Sequence, residues 1–186
     1  MAVSGAGRRL FLALWPPDPV REAMREVGRR LAREVDGRRV GNAGLHLTLA
    51  FLGTVEEARR EALEAALAAL DLAAHTLLLD RLGYWRRPQV VWLGASRTPE
   101  ALAAFVTDLR ASLRALELPV EERPFVPHVT LLRKVRRRPP ALSFAPIAWP
   151  VDGFVLVQSE LRPEGAHYTV LRRWSASPGG GSFSRP

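Results

Sequence analysis

The chain has 186 residues, of which 47% are hydrophobic and 25% charged, a composition that is ordinary for one soluble globular domain. It contains no cysteine, which excludes thiol nucleophiles, disulfides and cysteine-ligated metal centres. The formal net charge of +8 comes almost entirely from arginine and favours partners such as nucleic acids or phosphorylated ligands. A GC-rich genome also supplies arginine codons freely, so charge alone leaves contact with nucleic acid open.

Hydrophobic periodicity predicts strands and helices in alternation along the chain. In chain order these are a strand over 10–15, a helix over 18–35, a strand over 45–52, a helix over 56–70, strands over 76–82 and 90–93, a helix over 98–116, and strands over 127–132, 151–158 and 168–174. Thr98 is expected to cap the helix that begins at Pro99. Residues 136–150 are expected to form a connection rich in proline and arginine.

The two ends of the chain differ in composition from the rest. Residues 1–7 and 176–186 are expected to be disordered, which leaves 8–175 as a single bilobal domain. No apolar run approaches the ~18–20 residues that span a bilayer. The short apolar segment 10–15 ends at two prolines and is interpreted as a strand, so we expect a cytoplasmic protein that does not enter membranes.

Two β-α-β units end in the same short motif. His46-Leu47-Thr48-Leu49 closes the first unit, and His128-Val129-Thr130-Leu131 closes the second. The separation from Leu12 to His46 is 34 residues, and that from Leu93 to His128 is 35. Matching motifs at matching spacing indicate a duplicated pair of lobes related by a pseudo-two-fold axis.

The two motifs are suited to acid–base chemistry at a phosphate. Residues i and i+2 of a strand share a face, so each histidine is predicted to lie beside its threonine, with the intervening apolar residues in the core. One such motif alone is more often a hydrogen-bonded structural histidine. Two facing histidines, however, provide the base that activates water and the acid that protonates a leaving oxygen. We find no carboxylate cluster with metal-ligand spacing, so no metal or other cofactor is expected.

The chain resembles the 2H phosphoesterase superfamily, and within it the RNA 2',3'-cyclic phosphodiesterase branch, historically named 2'-5' RNA ligase. The matching segments span about residues 8–175 and come in the family order; they are residues 9–13, 45–53, 90–94, 123–133 and 168–174. The resemblance implies an α+β fold in which two antiparallel sheets with outer helices surround a central cleft. It also implies hydrolysis of an RNA 2',3'-cyclic phosphate to a 2'-phosphate without a metal, with His46 as the acid and His128 as the base.

The resemblance adds two residues to the cleft, and the basic run after the second motif adds a third candidate. It implies that Arg133 clamps phosphate and that Phe51 stacks on a base or ribose, although strict alternation places both on the face away from the histidines. A bulge or bend at each strand end is therefore expected. Lys134 belongs to the basic run from Arg133 to Arg138, which is interpreted either as a contact for the RNA backbone or as a solvated loop. Arg86 and Arg87, beside Tyr84 and Trp85, form a smaller candidate patch.

Four other residues with reactive or aromatic side chains are expected to be structural. His75 lacks a threonine two positions later, and His167 lacks both the following leucine and the β-α-β unit that leads into each motif. Trp92 and Trp174 lie among apolar strand residues and are expected in the core.

Three functions remain open on the sequence. The first is the cyclic phosphodiesterase, a monomer acting on RNA ends, with tRNA fragments as one candidate source. The second is a related activity, either 2'-5' ligation or hydrolysis of small cyclic nucleotides. The third is a non-catalytic RNA-binding module, against which the paired titrating histidines argue.

Overall fold

The structure is a computed structural model that describes residues 7–163 and 165–178. Residues 1–6 and 179–186 of the two expected disordered ends lie outside the described residues. Ala176 and Ser177, which the sequence assigns to the tail, donate backbone hydrogen bonds to the carbonyls of Asp152 (2.7 Å) and Leu72 (2.9 Å). The hydrogen-bonded chain therefore continues two residues beyond 175.

Ten strands and three α-helices lie within these described ranges. They are β1 (Arg8–Leu14), α1 (Asp18–Leu31), β2 (Arg38–Arg39), β3 (Leu47–Val55), α2 (Glu57–Ala68), β4 (His75–Leu79), β5 (Arg81–Trp85), β6 (Val90–Gly94), α3 (Glu100–Ala115), β7 (His128–Arg133), β8 (Ile147–Val151), β9 (Gly153–Arg162) and β10 (Gly165–Ser175). A short 3-10 turn, Asn42–Gly44, leads into β3. None of these helices combines the length and the apolar character needed to cross a bilayer.

Several predicted boundaries are wrong; the first helix, for example, ends at Leu31 rather than at residue 35. The strand predicted over 76–82 is split at Asp80, whose carboxylate accepts hydrogen bonds from the Ser96 N–H and hydroxyl at 2.7 and 2.6 Å. The connection predicted over 136–150 contains β8, which pairs with β4. Helix α3 begins one residue late, because Pro99 rather than Thr98 occupies the N-cap position.

Eight strands form one large antiparallel sheet in the order β10-β9-β1-β3-β7-β6-β5, with β2 also paired to β7. Strands β4 and β8 form a second antiparallel sheet of two strands. The predicted α+β class with antiparallel sheets is thus confirmed. Strands β3 and β7, which carry the two motifs, are neighbours in the large sheet through the pair Leu47–Val129. The two-fold relation of the halves stays a prediction.

The two faces of the large sheet bury different residues. On β1, Leu10, Leu12 and Leu14 join the main core, to which all three helices contribute. The intervening Phe11 and Ala13 belong instead to a small cluster on the opposite face. Helix α1 packs on the main core through an apolar stripe at helical spacing, formed by Val20, Met24, Val27 and Leu31. Burying a side chain of this size contributes about 1.5–3 kcal/mol relative to exposure.

Candidate active site

The two His-x-Thr motifs follow the predicted alternation. Leu47 and Val129 are fully buried, whereas each motif histidine and threonine is only partly buried. Hence the apolar residues anchor the strands in the core, and the polar ones remain accessible on the opposite face.

The sheet register brings the two motifs together. Because Leu47 lies directly across from Val129 in an antiparallel pair, the neighbouring positions place His46 across from Thr130 and Thr48 across from His128. All four side chains share one face. Among the described residues, neither threonine hydroxyl has a hydrogen-bond partner, so both are free to donate to a ligand.

His46 lies among aromatic rings at the start of β3. Its ring stacks on Phe11 at 4.9 Å and on Trp15 at 5.5 Å between centroids, and Tyr168 meets it edge-on at 5.3 Å. Its Nδ1 lies 3.0 Å from the carbonyl oxygen of Ala43 in the turn before β3. Aromatic packing on three sides thus holds the imidazole in one orientation.

His128 has an equivalent environment at the start of β7. Trp85 meets its ring edge-on at 4.5 Å, Trp92 lies 6.1 Å away, and Nδ1 lies 2.8 Å from the Val126 carbonyl oxygen. A carbonyl can only accept, so in each neutral histidine Nδ1 carries the proton and Nε2 keeps the free lone pair. Both rings therefore present the same reactive nitrogen.

Burial lowers the pKa of both histidines. Desolvation lowers that of His46 from 6.5 to about 4; the Ala43 hydrogen bond opposes this, while the positive charges of Arg133, Arg21 and His128 add to it. The pKa of His128 is lowered by desolvation, against its Val126 hydrogen bond, and further by Arg133. The positive charge of Arg133 therefore disfavours the protonated form of both histidines.

Strand bulges explain how Arg133 and Phe51 reach this face. The β6–β7 register shifts between Val91 and Trp92, so Leu131 is skipped and Arg133 shares the accessible face. The β1–β3 register shifts as well, so that Phe51 pairs with Phe11. The centroids of these two rings are 6.2 Å apart, and Phe11 in turn stacks on His46. Phe51 is 69% exposed. The bulges expected from the resemblance are thus present, and they turn both residues to the face that carries the histidines.

Gly53 supports the second irregularity of β3. Its φ of +69° lies in the left-handed region that favours glycine. Gly53 pairs with Leu10, directly beside the register shift between Leu10 and Phe11. Lys134, the third candidate for the cleft, is exposed directly after β7 and also has a positive φ, of 59°. It follows Arg133 at the edge of the site.

Sequence reasoning missed Arg21. Its side chain is only 12% exposed, donates to the carbonyls of Pro16, Asn42 and Leu45, and lies over the Trp15 ring at 5.4 Å. Arg21 therefore links the Asn42–Gly44 turn to the Trp15 ring, and both of these flank His46. Within the sequence it was only one of many polar positions on α1.

The aromatic residues Phe11, Trp15 and Tyr168 were also missed as site residues. Phe11 in β1 and Trp15 directly after it belong to a continuous apolar run, although alternation against Leu10, Leu12 and Leu14 was a usable signal. Tyr168 reaches His46 because β10 pairs with β9, and this pairing cannot be predicted from local sequence.

The residues expected to be structural lie away from the reactive nitrogens or in the core. His75 starts β4 in the small sheet, and His167 is exposed on β10. Trp92 is 4% exposed, as predicted, but also borders His128. Trp174 is partly buried and stacks on Phe154 at 5.0 Å. In the part of the chain that the structure describes, no group of three or more His, Asp or Glu residues is arranged to hold a metal ion.

Comparison with known proteins identifies the family of the chain. The profile of the 2'-5' RNA ligase superfamily matches residues 16–163. An RNA 2',3'-cyclic phosphodiesterase of Escherichia coli K12 is 34% identical over 172 residues, which cover 90% of this chain and 96% of that protein. One of Thermus thermophilus is 37% identical over 182 residues, covering 90% and 89%. The crystal structure of E. coli LigT complexed with 3'-AMP superposes with a TM-score of 0.82 at 33% identity, covering 92% of this chain and 99% of LigT.

Proposed function

This chain belongs to the 2'-5' RNA ligase superfamily, and we propose that it is an RNA 2',3'-cyclic phosphodiesterase that uses His46 and His128 as its acid–base pair. Curated relatives that match nearly the whole chain carry this activity in their names. The register that sets His46 across from Thr130 and Thr48 across from His128 is the observation that carries the His/His mechanism.

The reaction opens the terminal cyclic phosphate by adding water to it. A water oxygen forms a bond to phosphorus while the bond from phosphorus to O3' breaks on the opposite side. One imidazole takes the proton from the water at Nε2, and the other, protonated, gives its proton to O3'. The product has a 2'-phosphate and a free 3'-hydroxyl, so atoms and charge balance without a cofactor.

The family resemblance assigns the acid role to His46 and the base role to His128. A pKa of about 4 makes protonated His46 a strong acid toward a departing alkoxide, although little of it is protonated in the free protein at neutral pH. The negative charge of a bound phosphodiester favours the imidazolium and raises that pKa in the complex. Proton transfer by each group is worth roughly 10²–10⁴-fold in rate.

The remaining residues act on the phosphoryl oxygens and the nucleoside. The Thr48 and Thr130 hydroxyls donate to the non-bridging oxygens, where negative charge builds up in the transition state. Arg133 supplies a positive charge beside both histidines. Phe51, exposed beside Phe11, offers a ring on which a base can stack. We also propose that the protein acts as a cytoplasmic monomer.

The test is product analysis of an oligonucleotide with a 2',3'-cyclic phosphate end. We expect a 2'-phosphate product, full activity in excess EDTA, and a loss of at least about 10²-fold in kcat/KM for His46→Ala and for His128→Ala, with unchanged circular dichroism. His167→Ala, which alters an exposed histidine of β10, is the matched control and should keep wild-type turnover.

Other outcomes identify the alternatives. Near-normal hydrolysis by either histidine variant would remove the acid–base pair from the mechanism. Turnover of free cyclic nucleotides with none of the oligonucleotide would mark a small-molecule phosphodiesterase. Joining of RNA ends would indicate ligation, and RNA affinity without any turnover would indicate a binding module.

A further inference from the structure

A basic groove lies beside the His128 half of the site. It is open to solvent, has a volume of about 440 Å³, and is lined by Arg86, Arg87, Pro88, Gln89 and Arg136. Three of these five residues are exposed arginines. The volume falls within the ~300–1,000 Å³ of typical ligand sites, but here the walls are cationic rather than apolar.

Hydrogen bonds join the groove to the catalytic strand. The Val135 N–H donates to the Gln89 carbonyl at 3.1 Å, and the Tyr84 hydroxyl donates to the Val135 carbonyl at 2.9 Å. Val90 pairs with Arg133, so the β5–β6 turn is fixed against the end of β7. The backbone from Arg133 to Arg136 spans at most about 10 Å. The groove therefore begins within about 10 Å of Arg133, the residue proposed to act on the reacting phosphate.

Among the residues that the structure describes, the cations of the groove lack acidic partners, in contrast to several exposed arginines elsewhere on the surface. Arg29, Arg114 and Arg162 each form an ion pair with a glutamate at 3.0 Å or less. Within the described residues, Arg86, Arg87 and Arg136 form no ion pair. Their charges are not offset by neighbouring acids, so they contribute fully to the potential at the site.

Two side chains at the groove are held in a strained backbone conformation. Gln89 and Lys134 have φ of 65° and 59°, in the region that favours glycine. Such strain costs on the order of 1–3 kcal/mol and concentrates at ligand-binding segments. A polar or charged side chain is thus present at both turns where glycine would relieve strain.

We infer that this groove binds the phosphodiester backbone of the nucleotides 5' to the cyclic end, an inference that rests on the proposed function. In a 2',3'-cyclic end both O2' and O3' are bonded to the reacting phosphorus, so the RNA chain can leave the site only through O5'. On the His46 half, the exposed ring of Phe51 is suited to stacking on the terminal nucleoside. The unpaired arginines of the His128 half suit the next phosphates. The RNA body therefore crosses the β5–β6 turn.

The test compares two substrates and two triple variants. Arg86→Ala/Arg87→Ala/Arg136→Ala removes the groove charges, and Arg29→Ala/Arg114→Ala/Arg162→Ala removes three ion-paired charges elsewhere. Each is assayed with a ten-nucleotide RNA bearing a 2',3'-cyclic end and with the cyclic mononucleotide. We expect the groove variant to lose about 10-fold or more in kcat/KM on the oligonucleotide, mainly through KM, and to retain mononucleotide turnover. The control variant should match wild type on both.

Equilibrium binding separates this inference from the proposed function. The same RNA with a 2'-phosphate end is titrated by fluorescence anisotropy at several salt concentrations. The slope of log K against log salt should fall by about 2 in the groove variant, because each single-strand phosphate contact contributes about 0.7. Equal binding by wild type and groove variant, or equal losses on both substrates, would overturn the inference. Absence of turnover in wild type with this binding pattern intact would overturn only the proposed function.

Discussion

Two backbone carbonyls decide which nitrogen of each histidine can react. Ala43 and Val126 accept from Nδ1 of His46 and His128, which leaves Nε2 as the free base in both neutral rings. The same burial that orients His46 also disfavours its charged form. Orientation and pKa are thus set together by the packing around each ring.

Stability should depend on pH through His46. Its pKa is about 4 in the folded chain and near 6.5 when unfolded, so the unfolded state binds more protons between these values. The contribution is fully present above pH 6.5 and is lost as pH falls through about 4. We expect wild type to lose about 2–3 kcal/mol more than His46→Gln between pH 7.5 and 4.5, as measured by urea unfolding.

Exposed His167 provides the control for this measurement. His167→Gln should retain the wild-type pH dependence, since its side chain is in solvent on β10. Identical curves for wild type and His46→Gln would show that the His46 ring is solvated in the folded protein.

Arg21 should act as a positioning residue for His46. Arg21→Lys keeps the charge but loses the planar fork that donates to Pro16, Asn42 and Leu45, so we expect kcat to fall about 10-fold with little change in KM. Arg21→Met also removes the positive charge that lowers the His46 pKa, so only this variant should move the acid limb of the pH–rate profile to higher pH. A merely structural role would leave the acid limb in the same place in both variants.

At the scale of elements, close backbone approach shapes the His128 half. Gly83 on β5 lies opposite Trp92 on β6, and a Cβ at this position would overlap the indole ring. The buried Trp92 ring in turn borders His128. The absence of a side chain at Gly83 in β5 therefore allows Trp92 to occupy its position beside His128 in β7.

Gly83→Ala should be destabilising and should disturb the site. Displacing a buried ring in a packed interior costs about 1–3 kcal/mol, and the shift of Trp92 should lower kcat as well. Gly28→Ala is the matched control, because nothing lies within 4 Å of a Cβ there and the residue is within α1. It should stabilise by up to about 1 kcal/mol. Urea unfolding measures both, and an unchanged Gly83→Ala protein would contradict the packing described.

At the scale of the whole molecule, one core underlies both histidine strands. The main cluster joins residues of β1, β3 and α1 to residues of β6, β7 and α3. The direct pairing of β3 with β7 is much shorter, with one matched pair. The shared core, rather than the strand seam, therefore holds the two halves together.

The chain should consequently unfold in one transition. Urea curves followed by far-ultraviolet circular dichroism and by tryptophan fluorescence should coincide, because neither half has a core of its own. Two separate transitions would show that the lobes are independent folding units.

Local sequence was sufficient to predict the two strands that carry the His-x-Thr motifs and most of the fold. Two-residue alternation places each histidine beside its threonine, and 3.6-residue periodicity located all three helices, because both patterns depend only on near neighbours. Tertiary structure decided the rest. The bulge at Leu131, the Arg21 contacts, the arrival of Tyr168 and the groove of unpaired arginines all depend on which distant strands pair. Strand pairing is long-range, and a one-residue shift in register moves every following side chain to the other face.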